Sequence, residues 1–374
     1  MHVFNFQQFK KSKEKRKFKF SMLFRVATCF FVIFFLIFSP LFLFNRENYK
    51  QDINDFFNMD LDTKVLSLVH IETFEGSMSS RGKYLEKLAT LFNKKRKDVY
   101  ITIKTLTIEE LELNFEDGFC DIVSFGYGVG DFLKDNLIKL KNIDMHKSFL
   151  ESGKSDGEIL AYPYSFGGYA TITRQSAINK DSVSLSEIGK VTIKDKSKNE
   201  YSFGFAKNGL VNIAGVLKQN NITTKKELFY ENDLSTYNMY EKFLANKFAT
   251  LIGTTRDVVR CKDREVKGSL SPCVYNYLGG FTDLVQYLGI TSKNYGNQII
   301  AQEFLEFALS EDLQRALNKV GLFSPVFDDI YEEGYLKEFE NVLSKDIVVP
   351  NAFLSKEEIL RLKNEDFKKV VCDV

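Results

Sequence analysis

Apolar residues along the chain fall into one long run and many short ones. The long run covers residues 22–44, where Phe, Leu, Ile and Val are interrupted by only a few other residues. As a helix, residues 26–44 would extend about 28 Å, which is close to the hydrocarbon thickness of a bilayer. The pattern therefore predicts a transmembrane signal-anchor helix over residues 22–44.

The segments on either side of this run predict its orientation. Residues 1–21 contain a cluster of Lys and Arg, and such basic flanks stay on the cytoplasmic side of a membrane. We therefore expect a cytoplasmic basic tail over 1–21, a polar tether over 45–63, and the bulk of the chain on the extracellular side of the cell membrane. The run lacks a small-x-small cleavage site, which favours an uncleaved anchor over the alternative of a cleaved signal peptide.

The short apolar runs that follow alternate between strand-like and helix-like periods. Residues 65–69 predict a strand, residues 83–93 an amphipathic helix, and residues 100–104 a second strand. This order indicates a βαβ unit with a parallel sheet, and such sheets present ligand sites at the carboxyl ends of their strands. The loop after the first strand contains Glu72, Phe74 and Glu75.

The block at residues 277–325 has the most regular pattern in the chain. It predicts a strand over residues 284–290, followed by two consecutive amphipathic helices. Ser310 stands where the N-cap of the second helix belongs, and Gly321 and Pro325 predict where that helix ends. The block therefore adds a further strand and two covering helices to the expected α/β architecture.

Composition and charge narrow the functional class. The chain has 374 residues, of which 44% are hydrophobic, so it can build a sizeable core. Residues 1–44 hold eight of the 51 basic residues and one of the 50 acidic residues, which leaves 43 basic and 49 acidic residues in the remainder. The predicted extracellular part is therefore acidic, and we expect no nucleic-acid partner.

Few residues are arranged for catalysis or metal binding. The five Cys and three His show no zinc-type spacing, and the sequence contains no G-x-S-x-G elbow. We therefore expect no metal, no cofactor and no enzymatic activity, with a membrane-anchored hydrolase as the less favoured alternative. Cys261 and Cys273 are close enough in sequence for a hairpin-like disulfide outside the membrane, and the sequence leaves open whether it forms.

Several motifs resemble those of the extracellular solute-binding proteins of ABC importers, of the carbohydrate type (family 1). Residues 121–123 (Asp-Ile-Val) resemble the family's P-D-V strand, and residues 161–164 (Ala-Tyr-Pro-Tyr) resemble the segment before its first hinge strand. Residues 240–255 resemble its F-x-x-G-K-x-A-M-x-x-G element, with Thr254 to Arg256 in the loop that follows. In the last block the matching residues are Ala301, Phe304, Leu305, Phe307, Ser310, Asp312, Gln314, Gly321 and Pro325.

The resemblance implies an α/β, two-lobed periplasmic-binding-protein-like type II fold with a hinge, here preceded by one N-terminal transmembrane helix. Residues 64–163 with 278–322 would form lobe 1, and residues 164–277 with 323–374 would form lobe 2. It also implies a monomeric, membrane-anchored binding protein. Such a protein captures a small solute, a sugar or oligosaccharide, between its lobes and delivers it to the permease subunits of an ABC transporter. A surface sensor or adaptor that uses the same fold without transport is the alternative.

Family members hold their ligand with polar groups and aromatic rings in loops at the ends of strands. For this chain the resemblance and the predicted strand ends together indicate which side chains would contact the solute. The expected ligand-binding residues are Glu72, Phe74, Glu75, Phe125, Tyr164, Arg256 and Tyr277.

Overall fold

The structure is a computed structural model that describes residues 63–73, 81–114, 119–178, 181–188, 190–194, 200–205, 216, 220–222, 227–229, 236–343 and 346–361. The predicted basic tail and transmembrane helix lie outside these residues, as does the predicted tether except for Thr63. Within the described ranges, no helix is long and apolar enough to cross a membrane. The described residues from Lys64 onward form one compact unit.

The first sheet combines strands from distant parts of the sequence. Among the described residues it contains β1 (Lys64–Ile71), β2 (Val99–Leu106), β3 (Ile122–Gly126), β6 (Ala161–Phe166) and β13 (Val285–Ile290), in the order β2-β1-β3-β13-β6. β1 is parallel to β2 and β3, whereas β13 is antiparallel to β3 and β6. A short hairpin of β4 (Lys154–Ser155) and β5 (Glu158–Ile159) precedes β6. The predicted βαβ unit and the predicted late strand are both confirmed.

The second sheet consists mainly of strands from the middle of the chain. Among the described residues it contains β7 (Tyr169–Arg174), β8 (Ile193–Lys194), β9 (Glu200–Gly204), β10 (Glu227–Phe229), β11 (Thr250–Thr254) and β12 (Cys273–Leu278). The order is β10-β9-β11-β7-β12, and β8 pairs with β9. β7 lies between β11 and β12 and is antiparallel to both. Because β11 is parallel to β9, the sheet is mixed, and every residue of β7 is buried.

Helices cover both sheets. The described α-helices are α1 (Arg81–Lys95), α2 (Ile108–Asn114), α3 (Gly130–Leu133), α4 (Lys147–Ser152), α5 (Gln175–Ile178), α6 (Leu185–Ile188), α7 (Thr236–Leu244), α8 (Thr255–Val266), α9 (Tyr295–Ala308), α10 (Glu311–Arg315) and α11 (Tyr335–Leu343). Residues 356–361 are also helical. The two predicted amphipathic helices of the last block correspond to α9 and α10.

Aromatic side chains join the helices over the first sheet. Phe92 of α1 packs edge-on against Phe304 of α9, with 5.4 Å between the ring centroids.

Asn294 caps α9, since its side chain accepts a hydrogen bond from the backbone N of Asn297 at 3.1 Å. Gly321 ends the following 3-10 turn in the left-handed conformation, with φ of 71°, as the sequence predicts.

The chain passes between the two sheets at three places in its described part. The first crossing, residues 167–168, follows β6, so the chain leaves the first sheet a few residues beyond the predicted lobe boundary at 163. The second crossing, residues 279–284, joins β12 to β13. The third crossing runs past Phe323, whose backbone forms an antiparallel bridge with Phe166. All three crossings therefore lie side by side.

Cys261 and Cys273, the pair for which the sequence allows a disulfide, are not bonded to each other. Cys261 lies in α8 and Cys273 begins β12, and both carry free thiols. The disulfide that the sequence leaves open is thus not formed in this structure.

Candidate functional site

The carboxyl ends of β1 and β3 lie at the edge of the first sheet that meets the second sheet. β13 begins at the same edge, because Gln286 pairs with Gly126 at the end of β3. In the second sheet, β7 begins at Tyr169, which pairs with Thr254 and Leu278 at the ends of β11 and β12. The strand ends of both sheets therefore meet at the crossings, which is where ligands bind in many α/β proteins.

Buried side chains form a hydrogen-bond network beneath this edge. Ser124 Oγ is its centre and lies 3.0 Å from His70 Nδ1 and 3.2 Å from Tyr164 Oη. Gln286 Nε2 donates to the same oxygen at 3.1 Å, and Gln286 Oε1 accepts a hydrogen bond from Thr73 Oγ1 at 3.3 Å. The network connects β1, β3, β6 and β13 and therefore holds the strand ends at this edge in fixed positions.

Burial sets the protonation states in this network. Burial of His70, together with the positive charge of Arg81, lowers the pKa of the imidazole from 6.5 to about 3. Burial raises the pKa of Tyr164 to about 12, although the hydrogen bond with Ser124 and the charge of Arg81 act in the opposite direction. At neutral pH the imidazole and the phenol are therefore both uncharged.

A carboxylate and two phenol groups lie at the crossings themselves. Asp283, in the second crossing, is 3% exposed and accepts a hydrogen bond from Tyr169 Oη at 2.5 Å. Tyr127 is also 3% exposed, and its hydroxyl has no hydrogen-bond partner among the described residues. Burial and the charge of Asp283 raise the pKa of both phenols, so both remain protonated donors. An unpaired buried hydroxyl is costly, so the Tyr127 hydroxyl is left with an unsatisfied donor in this structure.

Two threonines fasten the first crossing to its neighbours. Thr255 Oγ1, at the N-terminus of α8, accepts a hydrogen bond from Gly168 N at 2.7 Å. Thr282 Oγ1 donates to Gly167 O at 2.6 Å. Gly168 also lets α11 approach, because a Cβ at that position would lie 2.7 Å from Leu343 Cδ1. The first and second crossings are thereby held together beside Asp283.

Three of the predicted ligand-binding residues lie on the periphery of this edge. Glu72 follows β1 and is exposed. Arg256 is half-buried in the first turn of α8, so it lies in a helix and not in the expected loop. Tyr277 is half-buried on β12, and its ring stacks on Phe339 of α11 with 4.5 Å between the centroids. Phe74 and Glu75 lie outside the described residues.

Phe125 and Tyr164 have no exposed surface and lie on opposite faces of the first sheet. The Tyr164 hydroxyl contacts Ser124, and consecutive residues of a strand point to opposite faces, so Phe125 points away from that contact. The Phe125 ring packs 5.6 Å from Tyr287 and 6.2 Å from Phe353. The structure therefore does not bring these two predicted rings together, and in this state Tyr164 supports the edge while Phe125 lies in the core.

The residues that sequence analysis did not single out are Tyr127, Tyr169 and Asp283. Each has a signal in the sequence. Asp283 is the only acidic residue in the apolar and glycine-rich segment 277–290, and an isolated carboxylate in such a segment requires a buried partner. Tyr127 and Tyr169 each stand directly beside glycines at the end or start of a strand.

The groups at this edge suit hydrogen bonding to a ligand. Among the described residues, no three or more His, Cys, Asp or Glu side chains are grouped so that they could hold a metal ion. The edge instead offers a carboxylate acceptor at Asp283 and a phenol donor at Tyr127. This combination complements a ligand whose groups both donate and accept hydrogen bonds.

Comparison with known proteins relates the fold to binding proteins. No family model and no curated protein matches the sequence. The GacH receptor of Streptomyces glaucescens GLA.O superposes with a TM-score of 0.58 at 13% identity, covering 83% of this chain and 100% of that chain. The sugar-binding protein MalE from Xanthomonas citri superposes with a TM-score of 0.59 at 12% identity, covering 81% of this chain and 90% of that chain.

A third similar structure is an ABC substrate-binding protein from Listeria monocytogenes in complex with cycloalternan. It superposes with a TM-score of 0.52 at 12% identity, covering 82% of this chain and 95% of that chain. The described residues therefore share the mixed α/β fold of these two-domain binding proteins, which confirms the α/β part of the predicted fold class.

Proposed function

We propose that this protein captures a small carbohydrate, a sugar or an oligosaccharide, at the edge where its two sheets meet. The observation that carries the proposal is the grouping of Asp283, Tyr169 and Tyr127 at the crossings of a fold shared with a sugar-binding protein. The Asp283 carboxylate accepts hydrogen bonds from sugar hydroxyls, and the Tyr127 hydroxyl donates one. Each sugar hydroxyl is both donor and acceptor, so it matches this pair.

The walls of the cleft extend this polar centre. Glu72 stands on the side of the first sheet, and Arg256 and Tyr277 stand on the side of the second. These three residues supply charged and aromatic contacts to the outer parts of the solute, while Phe74 and Glu75 remain predicted contacts beside Glu72. An oligosaccharide reaches more of these residues than a monosaccharide does.

We propose that the protein delivers the bound solute to an ABC transporter. Closure of the two lobes around the solute creates a surface that permease subunits recognise, because ligand binding shifts the population of closed molecules. The predicted helix over residues 22–44 would anchor a monomer in the cell membrane, with the binding unit outside. A surface sensor or adaptor would bind the same solute and differ only in its partner protein.

A hydrolase is less well supported, although His70 and Ser124 form a nucleophile-and-base pair at 3.0 Å. Burial and the charge of Arg81 lower the pKa of His70 to about 3, so its imidazole is a weak general base at neutral pH. The Ser124 hydroxyl is also shared with Tyr164 and Gln286, which is typical of a structural network. Both observations favour binding without turnover.

A thermal-shift screen of residues 46–374 tests the ligand class. The panel contains monosaccharides and oligosaccharides, with amino acids, polyamines and phosphate as the other classes. A bound sugar at 100 times its Kd is expected to add about 2.7 kcal/mol to the free energy of unfolding. A shift with another class alone would contradict the proposal, and sugar turnover without a stable complex would favour the hydrolase.

A further inference from the structure

A cavity of about 500 Å³ lies beside the crossings and apart from the proposed carbohydrate site. Neither Asp283 nor Tyr127 lines it. Its walls come from α4 and the end of β6 on one side, and from α11 with residues 346–347 on the other. The third crossing closes it through Phe323 and Ser324. Cavities of this size hold small organic ligands.

The floor of this cavity is aromatic and pre-formed. Phe149 and Phe166 are buried, with 4.5 Å between their ring centroids, and Phe166 lies 5.6 Å from Phe323. Phe327 and Leu343 extend the apolar wall. Because these rings pack on one another, they keep their positions without a ligand. The floor therefore offers ring faces and edges to an apolar body of matching size.

The rim of the cavity carries more negative than positive groups. The carboxylates that line it are Glu151, Asp328, Glu340 and Asp346. The lining bases are Lys147 and His146, of which His146 Nε2 lies 3.5 Å from Asp328 Oδ1. Two of these carboxylates are already paired, because Lys154 Nζ lies 2.6 Å from Glu151 Oε1 and Lys337 Nζ lies 3.1 Å from Glu340 Oε2. The carboxylates that line the cavity without a lysine partner among the described residues are Asp328 and Asp346.

We propose that this cavity binds an apolar organic cation, such as an aromatic or alkyl ammonium compound. Aromatic faces attract cations through the ring quadrupole, and this attraction increases where water is excluded. Asp328 and Asp346 at the rim supply the compensating negative charge. This inference is independent of the proposed carbohydrate site, because no residue of that site lines the cavity. The two ligands also differ, since a sugar is neutral and rich in hydroxyls whereas this ligand is apolar and positively charged.

The test is calorimetric titration of the full chain with three probes of similar ring and different charge: benzyltrimethylammonium, benzyl alcohol and benzenesulfonate. We expect the cation to bind at a single site, about tenfold tighter than the alcohol, with no binding of the anion. Equal affinity for the cation and the alcohol, or no saturable binding of the cation, would overturn the proposal.

Variants locate the site. Asp346→Asn is tolerated by the backbone, because Asn adopts the positive φ of 44° found at Asp346, and with Asp328→Asn it removes the two rim charges that no lysine pairs among the described residues. We expect this double variant to weaken cation binding about fivefold, whereas Glu311→Gln, on exposed α10 outside the cavity, leaves it unchanged.

A filling variant gives the second measurement. Ser148 lines the cavity and is half-buried, so Ser148→Trp places an indole at its mouth without entering the core. Loss of cation binding in a variant that melts like the wild type supports the site. Cation binding that survives in Ser148→Trp, or that does not respond to the rim variants, would assign the cation to another place and overturn the proposal.

Discussion

The neutral imidazole of His70 connects the network beneath the candidate site to the pH dependence of stability. Its pKa is about 3 in the folded chain, whereas an imidazole in the unfolded chain has its ordinary pKa of 6.5, so the unfolded chain binds the proton more readily between these values. The contribution of His70 to stability should be complete above pH 6.5 and fall as the pH decreases toward 3. The slope from this one group is at most about 1.4 kcal/mol per pH unit. Urea denaturation at pH 7 and pH 5 measures it.

A variant separates this effect from the titration of carboxylates. His70→Asn keeps a side chain that can contact Ser124 but removes the titrating group. We expect the variant to lose part of the stability at pH 7 and to show a smaller decrease between pH 7 and pH 5. Equal decreases in the variant and the wild type would show that His70 is not the group responsible.

Adjacent glycines in the first crossing make a matched pair. A Cβ at Gly168 would lie 2.7 Å from Leu343 Cδ1 and 2.8 Å from Phe339 Cε2, whereas a Cβ at Gly167 meets nothing closer than 3.4 Å. We expect Gly168→Ala to lower the free energy of unfolding by about 1–3 kcal/mol, because α11 must move. Gly167→Ala should stay within about 1 kcal/mol of the wild type. Thermal denaturation of the two variants is the measurement, and equal losses would contradict this account of the crossing.

Individual residue roles were only partly predictable from the sequence. Phe125 and Tyr164 are aromatic residues near strand ends, which is the pattern of a cleft, yet both are fully buried. The depth of Phe125 depends on Phe353, which packs on it from a distant part of the chain. No local pattern contains that information, whereas the isolated acid at Asp283 was visible as an anomaly in an apolar segment.

At the scale of elements, Asp121 joins strands and helix at the edge opposite the crossings. Its Oδ2 accepts a hydrogen bond from Ser67 N at 2.9 Å in β1. Its Oδ1 accepts from Ser292 Oγ at 2.7 Å and from Asn297 Nδ2 at 2.9 Å, beside and within α9. Burial alone would raise the pKa of this carboxyl, but these hydrogen bonds lower it below its usual value.

Replacing this carboxylate should affect stability and not ligand binding. Asp121→Asn places amide hydrogens against donors, so we expect a loss of about 1–3 kcal/mol in the free energy of unfolding, measured with urea. Asp144→Asn, on an exposed loop, is the control and should change it by less than about 0.5 kcal/mol. A wild-type unfolding free energy in Asp121→Asn would show that the hydrogen bonds do not hold these elements together.

Elements with a regular apolar stripe were the most predictable. The helix expected at 83–93 is α1, and the strand expected at 284–290 is β13. α8 was less predictable, because charged residues surround a narrow buried stripe of Val258 and Cys261. The loop expected at Arg256 is therefore the first turn of this helix.

At the scale of the whole molecule, the order of motifs along the chain predicted the two-sheet binding fold better than any single motif. The crossings are marked by glycine or proline, which explains why their approximate positions could be predicted. Their exact positions depend on strand pairing, and β6 continues to Phe166 because it pairs with β13 up to Val285. Which side chains line the cleft follows from how all the crossings pack, and the sequence alone does not determine that packing.

The central claim is that a carbohydrate binds where the two sheets meet, at Asp283. Calorimetric titration of residues 46–374 with a panel of trisaccharides, for the wild type and Asp283→Asn side by side, tests it most directly. We predict saturable binding of at least one trisaccharide at a single site of the wild type. Its affinity should fall about tenfold or more in a folded Asp283→Asn variant, because a charge-assisted hydrogen bond is lost. The claim would be contradicted if no trisaccharide binds, or if both proteins bind with the same affinity.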